Sequence, residues 1–373
     1  VTSRFAGAAP PIKIAVVGLG WAGRSIWLPR LLDHPEFEVV ALVDPEPVSR
    51  ASVGAAGGGA ALLSDVSEID PAAVDLAVVA VPNHLHSKIA CRLLRGGISV
   101  FLEKPVCLNL DEASDLAAAE SATDAVLLAG SAARHRADVR ALGEVIGTLG
   151  RIRHVDLAWV RARGVPDLGG WFTSQKLSGG GALVDLGWHL LDTITPLLGP
   201  VSFHQIVGTV SDDFISDGSR QAAWRYDEQG AGQPRGGRPG NVEDTARGFL
   251  IADDGLSVSL RASWASHEAR DVTLVRFEGS AGTATLRCTF GFSPNRVSGS
   301  TLVREFDGEP TVIELPDEPV GEEYRHQLDD VPALLADSAS KGRAIREARQ
   351  TIHAIQQIYD SAHRAITGQP VAG

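Results

Sequence analysis

Residues 13–23 read KIAVVGLGWAG, and the fold turns on this stretch. Its first five residues are apolar and β-branched after the lysine, with no polar alternation. Such a run suits a strand buried on both faces, as in a parallel sheet. Gly18, Gly20 and Gly23 follow in G-x-G-x-x-G spacing. The first glycine permits a tight turn, the second lets backbone approach a pyrophosphate, and the third lets helix and strand pack closely. With Trp21 and Ala22 between them, these residues open a predicted helix whose free N–H groups would face the phosphates. Asp44 closes the next predicted strand, near the spacing of about 20 residues expected for an acid on the adenosine ribose.

Outward from that turn, strands are predicted at 37–44, 74–82, 99–105 and 125–132. Helices are predicted at 22–33, 47–57, 85–97 and 109–123. Strand and helix alternate with short links, which implies right-handed crossovers and a doubly wound parallel sheet. The rhythm changes between residues 134 and 150. Segments 151–163, 246–253, 256–266, 271–288 and 300–307 alternate polar and apolar residues, with a turn at 280–282. This pattern predicts an antiparallel sheet with one solvated or interface face. Residues 211–241 read as a long polar, glycine-rich surface loop, and 322–366 as helical. The fold expected is α/β: an N-terminal Rossmann sheet over 1–133, then an α+β domain over 134–373. The second domain has an open, mainly antiparallel sheet, and its last helices pack back on the body.

Composition narrows the function. The 373 residues carry a formal charge of −12 and no Lys/Arg run, which argues against nucleic acid or an anionic membrane as partner. No apolar run reaches the ~18 residues of a membrane span, and no secretory signal is evident. Cys91, Cys107 and Cys288 are far apart. They show neither metal-ligand spacing nor a disulfide framework, so the expectation is a reduced, cytoplasmic protein without a metal.

Two further stretches carry chemistry. Residues 99–105, SVFLEKP, place Lys104 at the carboxyl end of a parallel strand, where doubly wound sheets bind ligands. Residues 179–192 read GGGALVDLGWHLLD. On a helix turning about 100° per residue, Asp185, His189 and Asp192 share one side, away from Leu183, Leu186 and Leu190.

Four stretches, VVGLGWAG, VPNHLHSKIACRLLRGGISVFLEKP, GGGALVDLGWHLLD and RAIREARQTIHAIQQIYDSA, together resemble the glucose–fructose oxidoreductase, inositol dehydrogenase and rhizopine catabolism family. They span almost the whole chain. The resemblance implies a nicotinamide-dependent oxidoreductase acting on a secondary alcohol or ketone of a sugar, nucleotide sugar or cyclitol, and a homodimer or homotetramer. It leaves two alternatives: an NAD-dependent glycosidase working by transient oxidation, and a non-catalytic dinucleotide-sensing regulator.

The resemblance also assigns residues. Lys104, Asp185 and His189 match its catalytic set. Val81, Pro82, Asn83 and His86 match its cofactor-side stretch, with Glu103 beside the lysine. Arg134 resembles an arginine that follows the last Rossmann strand. Trp171 resembles an aromatic near nicotinamide or substrate. Apart from the resemblance, Arg161 and Arg163 on the strand over 151–163 are either exposed strand residues or substrate contacts, and Arg163 is taken as the contact. Hydride transfer from a carbinol needs a base for the hydroxyl proton, and imidazole suits it. His189 is read as that base, Asp185 as the group orienting its ring, and Lys104 as the cation stabilising the alkoxide. The glycine run is read as letting the chain approach the ligand. Asp44 favours NAD(H) over NADP(H), because a 2′-phosphate would meet a like charge. Arg50 is the nearest cation that could reverse this.

Overall fold

The computed structural model of the chain describes residues 10–54, 57–166, 170–222 and 240–367. Residues 223–239, most of the stretch read as a long loop, lie outside the described residues.

The first sheet contains β1 (Ile12–Val17), β2 (Phe37–Val43), β3 (Ala61–Leu63), β4 (Leu76–Val79), β5 (Ser99–Glu103) and β6 (Leu127–Gly130), in the order β3-β2-β1-β4-β5-β6. Every pairing is parallel. Order therefore reverses between β1 and β4, and the loops leaving those strands flank the crevice where such sheets bind dinucleotides. The helix after β1 starts with wide i→i+5 turns over Ala22–Trp27 and continues as α1 (Leu28–Asp33). Helices α2 (Pro47–Val53), α3 (His86–Arg95) and α4 (Leu110–Ser121) complete the crossovers.

The segment between the sheets is helical, as α5 (Ala137–Ile146). The second sheet then holds β7 (Ile152–Val160), β8 (Phe203–Ser211), β9 (Thr245–Ala252), β10 (Ser257–Ser263), β11 (Val272–Gly279), β12 (Thr283–Cys288), β13 (Thr301–Phe306) and β14 (Glu309–Ile313). It is ordered β14-β13-β12-β11-β7-β10-β9-β8. It is mixed: β7 lies parallel to β10 and antiparallel to β11, while the remaining pairs are antiparallel. Strand β8 escaped the sequence reading because its alternation is poor, with no buried position. Strand β14 is an almost wholly exposed edge carrying Pro310, so it had no apolar face to detect.

Short helix α6 (Gln175–Ser178) and helix α7 (Trp188–Leu198) lie between β7 and β8. Of the two closing helices, α8 (Glu322–Ala336) sends Leu328 and Val331 into the core under the first sheet, with Ile14, Val16, Trp27 and Phe101. Helix α9 (Arg343–Thr367) buries Ile345, Ile352, Ile355 and Ile358 in the core shared with Leu183 and Leu250. Among the described residues, no helix is long and apolar enough to cross a membrane. All three cysteines are buried and unpaired.

Candidate active site

Gly18 leaves β1 at a φ of +91°, and a Cβ there would come within 2.6 Å of the Ala80 carbonyl oxygen. Only glycine satisfies both constraints. A Cβ on Gly23 would overlap the Gly18 carbonyl oxygen, whereas Gly20 faces space with no atom within 4 Å. The first and third glycines thus serve the turn itself, and the second leaves the backbone bare toward a cavity. That open backbone at the start of a helix fits a dinucleotide pyrophosphate, and Asp44 beside it fits the adenosine ribose hydroxyls.

The cavity has a volume of about 740 Å³, within the roughly 300–1,000 Å³ of ligand pockets. Gly18, Gly20, Trp21, Ala22, Asp44, Val81, Pro82, Asn83, His86, Glu103, Lys104, Trp171, Asp185 and His189 line it, all from the sequence reading. Asp44 accepts the Leu19 N–H at 2.8 Å and the Glu46 N–H at 2.9 Å, which anchors its carboxylate at the end of β2.

At the other wall, Lys104 Nζ donates to Asp185 Oδ1 at 2.7 Å. Trp264 Nε1 donates to Asp185 Oδ2 at 2.9 Å. Burial alone would raise the Asp185 carboxyl, but Lys104 and Arg161 outweigh it and hold it below the usual carboxylate range. His189 has no hydrogen bond to either ring nitrogen among the described residues, and its ring lies 5.5 Å from that of Trp159. Burial, then the Lys104 charge, pushes its imidazole down to about 3. It is therefore a neutral ring open to the cavity, beside an ammonium locked to a carboxylate. Burial also pushes up the Glu103 carboxyl, which accepts from Trp27 Nε1 at 2.8 Å and from the Lys104 N–H at 2.9 Å.

Several expectations need correction. Asp185 spends both oxygens on Lys104 and Trp264, so it orients the lysine rather than the His189 ring. Arg134 is absent from the cavity wall. It donates to Asp192 at 2.6 Å and pairs with Glu347, which binds α7 to α9. Asp192 thereby leaves the stripe shared by Asp185 and His189. Wide turns over Leu183–Gly187 precede α7, a feature that an even rotation of about 100° per residue does not contain. Arg163 is exposed and does not line the cavity; β7 ends at Val160, so strand alternation no longer governs it. Arg161, two residues earlier, is buried there instead, its guanidinium 5.0 Å from the Trp159 ring. Arg50 donates to the Asp44 and Pro45 carbonyl oxygens at 2.6 and 3.0 Å and also lies off the wall.

Asn83 and His86 line the cavity but spend side-chain nitrogens on backbone. Asn83 Nδ2 donates to the Ser178 carbonyl at 2.9 Å, and both His86 ring nitrogens face carbonyl oxygens. The glycine run has a different purpose from the one expected. A Cβ on Gly181 would overlap the Glu243 carbonyl oxygen, and one on Gly180 the Tyr359 hydroxyl. Glu243 accepts the N–H groups of Gly181 and Leu183, and the Tyr359 hydroxyl at 2.8 Å. The glycines admit this buried carboxylate to the start of the segment that carries Asp185 and His189, where unsatisfied N–H groups need an acceptor.

Residues that the sequence reading missed complete the wall. Trp159 comes from the end of β7, beside Arg161, which the sequence reading weighs with Arg163 and which lies just past that strand, and Phe172 follows Trp171. Arg136, Phe290, Phe292, Glu323 and Tyr324 come from loops and from α8. Phe292 meets Trp21 edge-on at 5.6 Å and stacks on Tyr324 at 5.7 Å, which ties the glycine loop to the far end of the chain. Of the missed residues, spacing carried a signal only for Trp159, two before Arg161 on a predicted strand.

Comparison with known proteins agrees with this architecture. Residues 12–131 match the model of the oxidoreductase family with an NAD-binding Rossmann fold (GFO_IDH_MocA), and residues 139–285 match the GFO/IDH/MocA C-terminal domain. The chain is 56% identical over 354 residues to a putative UDP-kanosamine synthase oxidoreductase subunit of Amycolatopsis mediterranei (strain S699), covering 95% of this chain and 97% of that one. It is 27% identical to the D-glucoside 3-dehydrogenase of Escherichia coli (strain K12), covering 79% and 82%. The crystal structure of GenD2 from gentamicin A biosynthesis, in complex with NAD, shares the fold, with a TM-score of 0.75, 23% identity and 98% of each chain covered. The protein belongs to the GFO/IDH/MocA family of nicotinamide-dependent oxidoreductases.

Proposed function

We propose that the chain transfers hydride between NAD(H) and a secondary alcohol or ketone on a hexose unit, carried as a nucleotide sugar or glycoside. The observation behind this reading is the Lys104–Asp185 pair at 2.7 Å beside the unbonded imidazole of His189, in one cavity with the dinucleotide loop. The names of the relatives support a sugar over a cyclitol, and that of the glucoside dehydrogenase supports carbon 3.

Bound against Gly18–Gly20, Asp44 and Val81, the nicotinamide cofactor would supply the hydride acceptor or donor. Lys104, held by Asp185, donates a hydrogen bond to the substrate oxygen and stabilises its negative charge. His189, kept neutral by burial and by Lys104, accepts the hydroxyl proton at a ring nitrogen during oxidation. Charge developing on the substrate oxygen offsets the Lys104 repulsion, so the ring becomes a better acceptor as the reaction proceeds. In reduction the proton moves the other way. Trp159, Trp171 and Phe172 exclude water around these groups.

The test is an absorbance screen at the NADH band with UDP-glucose, other nucleotide-linked hexoses, alkyl glucosides and inositols, each with NAD and NADP. A hexose-bearing substrate is expected to respond. NAD should be favoured by at least about tenfold in kcat/KM, equivalent to ~1.4 kcal/mol, and Asp44→Ser should narrow that gap. Equal use of both cofactors would remove Asp44 as the discriminator. Glycoside cleavage without net NADH would replace the dehydrogenase reading with a glycosidase.

The same reading includes self-association through the open face of the second sheet. Val207 and Phe249 are 58% and 40% exposed on its β8–β9 edge, and β7, β10 and β11 alternate buried and half-buried residues. Sedimentation at micromolar concentration should give a dimer or tetramer; a monomer would contradict it.

A further inference from the structure

We propose that His86 is a positioning residue that locks the turn carrying Lys104 to the cofactor loop, a role that rests on reading Lys104 as catalytic. His86 opens α3 and is 1% exposed. Its Nδ1 lies 2.7 Å from the Pro105 carbonyl oxygen, immediately after Lys104. Its Nε2 lies 2.8 Å from the Val81 carbonyl oxygen, at the exit of β4. The ring is a rigid spacer between the two loops.

Both partners are acceptors only, so each contact needs an N–H from the ring. Burial and the nearby Lys104 and His84 charges push the imidazole down, while the two carbonyls pull it up. A neutral ring donates to one carbonyl; a charged ring donates to both. In either state a ring N–H holds at least one of the two carbonyls, which no apolar side chain can do, and only the charged ring holds both.

The loop from Pro82 to His86 is tied on its other side as well. Asn83 Nδ2 holds the Ser178 carbonyl, at the end of α6 just before the catalytic segment. One short loop against the cofactor space therefore sets the register of both halves of the catalytic pair. Lys104 reaches Asp185 across the cleft at 2.7 Å, and an error of about 1 Å in such a placement can cost ~10²-fold in rate.

The experiment compares His86→Leu and His86→Gln in the full chain, each alone and combined with Lys104→Ala. It measures kcat, KM for the responding hexose, NADH dissociation by fluorescence, and Tm. His86→Leu should lower kcat by about 30-fold, with KM and NADH affinity changed by less than about threefold. His86→Gln, whose amide can still donate, should recover most of that loss. Adding His86→Leu to Lys104→Ala should lower kcat no further, because His86 acts through Lys104.

An equal further loss in the Lys104→Ala background would overturn the proposal. So would NADH affinity falling in step with kcat, which would mark a cofactor contact, or a glutamine variant no better than leucine. If His86→Leu does not fold, the glutamine variant and its combination with Lys104→Ala decide by the same non-additivity. Wild-type turnover in Lys104→Ala alone would instead sink the catalytic reading of Lys104, and the positioning role with it.

Discussion

Lys104→Ala is expected to lower turnover by on the order of 10² to 10³ while NADH still binds. The lysine is the one cation bonded directly to Asp185 among the described residues, and its ammonium faces the space where the substrate oxygen would lie. Side-chain exposures of 20% for Lys104 and 12% for Asp185 keep bulk water from screening the pair. Removing the lysine has a second consequence. Asp185 would remain as a buried carboxylate with only Trp264 and the more distant Arg161 to compensate it, and breaking a buried pair costs about 3–5 kcal/mol. Lys104→Ala should therefore be both inactive and less stable. The double variant with Asp185→Asn separates the two effects. It should recover much of the lost stability, because no buried charge is left unpaired, and none of the turnover. Recovery of turnover in the double variant, or turnover within tenfold of wild type in the single one, would show that the ion pair is structural. The measurements are steady-state kcat and denaturant midpoints for wild type, both single variants and the double variant.

This site was partly legible in the chain because some of its pieces are local. The glycine loop, the lysine before Pro105, and Asp185 with His189 four residues on each carry their chemistry within a few residues, where strand-end and helix spacing apply. The groups that determine what those residues do come from elsewhere. Trp264 reaches Asp185 from just beyond β10, and Trp159 meets His189 from the end of β7. The strands β7 and β10 are parallel neighbours within an otherwise antiparallel sheet, a pairing that no local pattern encodes. Asp185 was assigned to the histidine because i and i+4 are neighbours on a helix. It belongs to the lysine because a distant indole and a distant ammonium take both of its oxygens. Arg134 was misplaced for a related reason. Its position after β6 is right for a cofactor contact, but Glu347, far along the chain on α9, draws it away. The glycine run was legible as a close approach, but the approaching group, Glu243, could be found only in three dimensions.

His189 gives the second large effect, and its sign follows from burial. His189→Ala should lower turnover by on the order of 10², the usual contribution of a placed general base. With its imidazole pushed down to about 3 by burial and by Lys104, His189 is already neutral throughout the working range. A base must be unprotonated to act, so kcat/KM for alcohol oxidation should stay level from pH 8 down to about 5, without a break near the ordinary histidine value of about 6.5. Stability carries the complementary signature. The unfolded chain binds a proton at this histidine below about 6.5, while the folded chain refuses it until about 3. The unfolded state therefore holds more protons in that window, and stability falls as the pH is lowered through it. His86 and His135 are also pushed down by burial, so the wild-type slope contains all three. Tm measured from pH 8 to 4 for wild type and His189→Gln isolates one of them. The glutamine variant should lose less stability on acidification, and the difference between the two curves should open below about 6.5. A kcat/KM break near that value, together with parallel Tm curves, would mean that His189 takes up its proton as an ordinary exposed histidine does, and that Lys104 does not govern it.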